Sequence, residues 1–381
     1  MNFDDIRPYT QEEIPAAMQR ISADPLFPML SGFVFPGKPV AEVKTMLAGL
    51  KTTEDFQGKV MNPFNREIIR RSITDFTFSG LENVKRDVPY LFVSNHRDIV
   101  LDSSLLQNVL YENHYQTTEI TFGANLMQGQ LIVDIGKSNK MFRVERGGTP
   151  KEFYLHSKHL SDYIRHVITQ KHHGVWIAQR NGRTKDGMDR TEPGIIKMFS
   201  LSGPSDKVEN LSALNILPVS VSYEWESCDM LKAFELYLTQ KDGTYSKEKG
   251  EDVKSILTGI LQPKGRVHFE FCEPLTPSEL SAYGDCTQNE YHQRVASLID
   301  RRICRSFRLW PNNYLAHDML DGKGEYAHRY TDAERRAFDL HVQDMLDEAA
   351  KRLGADFDRS LLVGIFLKIY ANPVDNRIAH S

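Results

Sequence analysis

Three short apolar runs bounded by polar residues constrain this chain most: Tyr90 to Ser94 (YLFVS), Gly174 to Ala178 (GVWIA) and Asn215 to Tyr223 (NILPVSVSY). Runs of roughly 4–8 residues, rich in β-branched and aromatic side chains, read as strands covered on both faces. Thr74 to Ser79 alternates before a turn at Gly80, and Glu119 to Phe122 and Arg266 to Phe271 are further strand candidates. Ser103 to Tyr115 and Phe153 to Gln170 carry helical periodicity. Strands alternating with helices over residues 86–275 predict an α/β fold. The first 74 residues read as amphipathic helices: a capping box, Thr10-x-x-Glu13, opens one, and Ala41 to Leu50 and Phe56 to Arg71 form two more. Residues 276–381 read mostly helical, with a linker-like stretch at Pro311 to Tyr330 and a packed apolar helix at Leu361 to Tyr370. The expected division is therefore 1–74, 75–275 and 276–381.

Composition removes several function classes. No apolar run reaches the ~18–20 residues of a spanning helix. The closest, Leu26 to Phe35, is interrupted by Pro28 and Gly32. The acidic start MNFDDIRPYTQEE does not read as a secretory signal. Four cysteines without C-x-x-C spacing are expected to be free thiols in a reducing cytoplasm. A net charge of −4 argues against bulk nucleic-acid binding. Yet Lys137 to Arg190 holds 12 Lys/Arg against 5 Asp/Glu, a basic middle suited to an anionic ligand or an anionic membrane surface. There is no H-E-x-x-H, and His172-His173 has no nearby carboxylate or thiolate in sequence, so no metal and no cofactor is expected.

The sharpest chemical feature is Ser94-Asn95-His96-Arg97-Asp98-Ile99-Val100-Leu101-Asp102, where a buried strand ends and a helix begins. Functional groups in open α/β sheets gather at the carboxyl ends of strands. A histidine there, with a carboxylate to fix its tautomer, is a ready general base. Asp98 and Asp102 are both in reach along the chain. Asp98, two residues on, is also well placed to cap the helix start, and the residues alone leave the partner of His96 open between the two. His96-Arg97-Asp98 also resembles a protein-kinase catalytic loop, but Ser103 stands where that loop needs Asn, and no Gly-rich phosphate loop precedes it.

Four blocks together resemble the glycerol-phosphate and lysophosphatidate (1-acylglycerol-3-phosphate) acyltransferase family over residues ~75–275. Asn95-His96-Arg97 with a following Asp resembles its His-x-x-x-x-Asp motif, and Met141 to Gly147 (MFRVERG) its aromatic-x-x-Arg block. Ile177 to Thr184 (IAQRNGRT) is similar to its Glu-Gly-x-Arg-Ser block, and Ile216 to Tyr223 (ILPVSVSY) to its Pro-Val strand. Two departures stand out. The His-to-Asp102 spacing is one residue longer than the family's, but one extra loop residue would leave Asp102 at the family Asp's place, which favours it as the partner of His96; and Arg180 or Asn181 stands where the family has Glu.

The resemblance implies a mixed, mostly parallel sheet flanked by helices, with helical N- and C-terminal regions. It implies an O-acyltransferase, His96 as its base, moving a fatty acyl group from acyl-CoA or acyl carrier protein to a hydroxyl of a lysophospholipid or glycerol-phosphate acceptor. Arginine forks match phosphate oxygens, so Arg146 and Arg183 are the expected acceptor phosphate ligands, with Arg143 and Arg180 in reserve. Gly182 would let the backbone approach the anion. With no G-x-S-x-G, direct transfer is expected rather than an acyl-enzyme. Amphiphilic substrates imply a cytoplasmic protein in peripheral contact with the inner face of the membrane, Leu26 to Phe35 and the N-terminal helices being the contact candidates. The alternative is a non-catalytic lipid-binding or scaffold protein on the same fold.

Overall fold

The apolar runs lie side by side in a seven-stranded sheet. In this computed structural model, which describes residues 2–145, 147–354 and 356–381, the strands are β1 (Ile73–Ser79), β2 (Leu91–Ser94), β3 (Glu119–Gly123), β4 (Met141–Val144), β5 (Val175–Ala178), β6 (Ile216–Tyr223) and β7 (Gly265–Phe271). Their order across the sheet is β1-β7-β6-β2-β5-β3-β4. Five consecutive strands, β6 to β4 in that order, are mutually parallel; β7 runs antiparallel to β6, and β1 parallel to β7. The sheet is thus mixed and mostly parallel, flanked by helices.

Burial on both faces explains why these strands read as unbroken apolar runs rather than alternating ones. Leu91, Val93, Val175, Ile177 and Ile216 face one core, beneath the helices Pro150–Thr169 and Gln288–Ser306. Phe92, Trp176, Ile120, Leu217 and Phe269 face the other, against the helices Leu101–Glu112 and Asn62–Ser72. The N-terminal helices, Ile14–Ala23, Phe27–Val34 and Val40–Ala48, have their own core around Ile14, Met18, Val43 and Phe56.

The packing runs across the expected division at 275. Helix Gln288–Ser306 sits on the sheet through Tyr291, Val295, Ile299 and Ile303. In the other direction, Phe234 and Tyr237 of helix Asp229–Asp242 join the C-terminal core of Leu315, Phe338, Met345 and Phe366.

The linker-like reading of Pro311 to Tyr330 is corrected: Pro311–Asp321 is a helix packed on Arg359–Ala379. Its first residue is proline, which a helix tolerates at that position. Its polar look arises because asparagines serve as buried contacts. Asn312 Nδ2 donates to the Glu224 carbonyl, and Asn313 Nδ2 to the Tyr370 carbonyl, both at 2.8 Å. Strand β4, the helix Gln130–Ser138, Pro193–Phe199 and Glu251–Leu261 were not distinguished by periodicity.

Candidate active site

The strand order brings three of the four blocks together. β2 carries the His96 block at its carboxyl end, and it is flanked by β5 with the third block and β6 with the fourth; Ser94 pairs with Ala178 on one side and Val219 on the other. Past the strand ends the segments stay joined. Gln179 N–H donates to the Ser94 carbonyl (2.8 Å) and Thr184 N–H to the His96 carbonyl (2.7 Å).

His96 is 8% exposed, with its ring edge-on to Trp176. Its Nδ1 lies 3.0 Å from Asp102 Oδ2. A carboxylate only accepts, so Nδ1 carries the hydrogen and Nε2 keeps a free lone pair. The ring lines a cavity of about 300 Å³, and no described residue bonds Nε2.

Asp102 is fully buried in the first turn of Leu101–Glu112. Oδ2 also accepts from the backbone N–H groups of Arg97 (2.6 Å) and Asp98 (2.9 Å), and Oδ1 from the Tyr223 hydroxyl (2.8 Å). Burial, together with the Asp102 and Asp98 carboxylates, pushes the Tyr223 phenol well above its usual range, so it acts as a donor. Asp98 plays a different part. Its Oδ1 accepts from Val100 N–H (2.9 Å) and Leu101 N–H (2.8 Å), capping the helix start, and its Oδ2 accepts from Ser227.

Arg97 faces away from the cavity. Its guanidinium is buried, bonded to Asp189 Oδ2 (2.6 Å) and Glu226 Oε2 (3.3 Å), and stacked over Phe307. Burial alone would depress its pKa, but Asp189 and Glu226 outweigh it and hold the charge on. Lys232 Nζ closes this network on Glu226 (2.6 Å) and on the Arg97 carbonyl (2.8 Å). Asp189 also accepts from Asn95 Nδ2 (2.9 Å) and the Thr184 hydroxyl (2.8 Å), fastening the third block to the first. Asp189, Glu226, Lys232 and Tyr223 were not singled out from sequence. Only Tyr223, closing the fourth block, carried any signal.

The arginines separate by position. Arg180 and Arg183 line the His96 cavity, and neither makes an ion pair among the described residues. Arg180 Nε and Arg183 Nη1 are buried with no partner among the described residues, which is costly unless another group accepts from them. The other cations lining the cavity are neutralised, Lys185 by Glu235 and Lys247 by Asp252. Gly182, also in the lining, has φ +76, a left-handed conformation that glycine adopts freely. Arg143 lies exposed on the edge strand β4, paired with Glu145 at 2.6 Å and outside the cavity lining. Arg146 lies outside the described residues. Where the third block lacks its glutamate, Asn181 is exposed and its N–H donates to Glu192 Oε2 (3.2 Å).

A second, more apolar cavity of about 570 Å³ adjoins the first and shares Thr121, Phe122, Ala178, Arg180 and Asn181 with it; Phe153, Leu160, Ile195 and Met198 extend it. The site therefore has a buried histidine held by Asp102, two guanidinium groups with no ion pair among the described residues, and an apolar recess opening beside both.

Residues 75–222 match the family model described as Acyltransferase. No curated protein matches the sequence. Among solved structures, the 1-acyl-sn-glycerophosphate (LPA) acyltransferase PlsC from Thermotoga maritima is similar at a TM-score of 0.36 and 14% identity, over 75% of this chain and 92% of that one. The matched segment includes the His96 block and the third block, which meet past the carboxyl ends of β2 and β5.

Proposed function

We propose that the protein is an O-acyltransferase that moves a fatty acyl group from acyl-CoA or acyl carrier protein to a hydroxyl of a phosphate-bearing acceptor, a lysophospholipid or glycerol phosphate. One observation carries the reading: a His96–Asp102 pair opens Nε2 into a cavity that also holds the unpaired Arg180 and Arg183. A hydroxyl is too weak an acid to attack unaided, so Nε2 takes its proton as the oxygen bonds to the thioester carbonyl carbon. The imidazolium then returns that proton to the departing sulfur, and an ester and a free thiol result. Asp102 stabilises the imidazolium between these steps. No serine or cysteine is among the described residues lining the His96 cavity, which favours direct transfer over an acyl-enzyme. Incubating the protein with one labelled long-chain acyl thioester and a panel of acceptors, read by lipid mass spectrometry, tests the reading. No acylated product from any phosphate-bearing acceptor would sink it in favour of a non-catalytic lipid-binding role.

Arg180 and Arg183 are the proposed phosphate ligands, with Arg146 a further ligand by its block. Losing a charge-assisted hydrogen bond costs about 1.5–3 kcal/mol. Arg183→Ala and Arg180→Ala should each raise the acceptor KM about tenfold or more and leave the donor KM nearly unchanged. A change confined to the donor KM would overturn the assignment.

No helix among the described residues is long and apolar enough to cross a membrane. Contact with a membrane surface is nonetheless part of this proposal, because the acceptor is amphiphilic. Two apolar patches flank the cavities. Val253, Leu257 and Leu261 stand exposed along one side of Glu251–Leu261, whose Asp252 lines the His96 cavity. Phe153 and Tyr154 stand exposed at the mouth of the apolar recess. The N-terminal candidate is smaller, with Leu26 and Met29 exposed while Phe27 is buried and Phe33 packs against the core. Leu257→Glu/Leu261→Glu should reduce co-sedimentation with liposomes several-fold, and Leu26→Glu/Met29→Glu should reduce it less. The reverse order would move the contact to the N-terminal helices.

A further inference from the structure

A second concave site, about 640 Å³ and sharing no lining residue with the His96 cavity, lies where β7 meets the C-terminal helices. Four arginines line it: Arg305, Arg308, Arg329 and Arg377. Each is anchored by an uncharged partner. Arg305 Nε donates to the His380 carbonyl and Arg377 Nη1 to the Phe307 carbonyl (2.9 Å). The Arg308 guanidinium lies 5.7 Å from the Trp310 ring centre, and that of Arg329 lies 5.6 Å from the Tyr314 ring centre. Among the described residues, no carboxylate oxygen stands within 4 Å of any of the four.

The one acid in the lining, Glu270, is already engaged by the Ser79 hydroxyl and by His268 Nε2 at 3.3 Å. Four like charges held around one hollow repel one another, and neutral anchors do nothing to relieve that. A multiply charged anion would relieve it, and guanidinium forks match phosphate oxygens two at a time. The volume is that of a small-molecule site.

We propose that this hollow is an anion-binding site for a ligand bearing two or more phosphate groups, separate from the acceptor site at Arg180 and Arg183. The proposal does not depend on the acyl-transfer reading. Its chemistry is shared by free phosphorylated small molecules and by phosphate-rich headgroups on a membrane, and the test separates the two.

Isothermal titration of the full-length protein with pyrophosphate and with inorganic phosphate forms the first arm. Co-sedimentation with vesicles of phosphatidylcholine, with and without a phosphoinositide bisphosphate, forms the second. Each arm is run on wild type, Arg308→Gln/Arg377→Gln, and Arg183→Gln. Pyrophosphate should bind at least tenfold more tightly than phosphate, and the double variant should weaken it tenfold or more while Arg183→Gln leaves that tighter binding in place. Binding in the first arm alone assigns a soluble ligand; a gain in pelleting with the bisphosphate lipid, lost in the double variant, assigns a membrane headgroup.

The proposal is overturned if neither probe binds, or if the double variant binds as wild type does while Arg183→Gln does not. Circular dichroism melts of both variants accompany the titrations. If the double variant is unfolded, Arg329→Gln, at the exposed rim, replaces it and is held to the same tenfold criterion.

Discussion

Replacing His96 with alanine should lower the acyl-transfer rate by about 10²–10⁴ while the fold persists. The size follows from what the ring does. Its Nδ1 side is committed to Asp102, and its Nε2 side has no partner among the described residues and faces the cavity. Alanine removes the only imidazole among the described residues of that lining. Stability should change little for a buried side chain, because the imidazole contributes one hydrogen bond to a carboxylate that keeps three other donors. The assay is initial rate under saturating donor and acceptor, with a thermal melt on the same preparation. A folded variant within threefold of wild type would remove His96 from the mechanism and leave the non-catalytic reading standing.

The second large effect should come from Asp102→Asn. The amide cannot hold Nδ1–H as a carboxylate does, and an NH₂ turned toward the ring favours the tautomer with no lone pair on Nε2. A loss of about 10²–10⁴ in rate is expected. This substitution should also cost stability, about 1–3 kcal/mol, because both buried oxygens of Asp102 are in use. Oδ2 takes Arg97 N–H, Asp98 N–H and His96 Nδ1–H, and Oδ1 takes the Tyr223 hydroxyl. Rates must therefore be compared well below both melting temperatures. Asp98→Ala is the contrast. It removes the cap on Val100 and Leu101 and strands the Ser227 hydroxyl, so it should cost about 0.5–2 kcal/mol for the cap with turnover largely kept. Inactive Asp98→Ala at unchanged stability, beside active Asp102→Asn, would reverse the two roles.

Much of the sheet was legible because burial writes itself into composition. A strand covered on both faces must be apolar throughout, so Leu91 to Ser94, Val175 to Ala178 and Ile216 to Tyr223 stand out at short length. The helix start at Thr10, read from its Thr-x-x-Glu box, is equally local, and the structure shows the same box at Thr149, Thr276, Thr287 and Thr331. Pro311 to Tyr330 escaped because its buried contacts are asparagines bonding carbonyls far along the chain. Strand β4 escaped because an edge strand is half exposed, and Arg143 breaks the apolar run.

Sequence by itself determined that a histidine stands at the end of a buried strand, that two carboxylates follow it, and that a basic segment comes later. Which of these meet was decided by tertiary structure. Asp98 and Asp102 could not be separated by helical angle, because residues 95–100 are not helical. The turn they make sets Asp102 Oδ2 against Nδ1 and leaves Asp98 facing backbone N–H groups. Arg143 and Arg180 look alike in sequence. The strand order places one on the sheet's outer edge, paired with Glu145, and the other beside β2, where no acid among the described residues pairs with it. The Arg97 network with Asp189 and Glu226 spans 92 and 129 residues, and the four arginines of the second hollow come together only when the C-terminal helices close on β7. Local pattern encodes burial and capping, which act over a few residues; charge pairing acts through space, and only the folded chain fixes those distances.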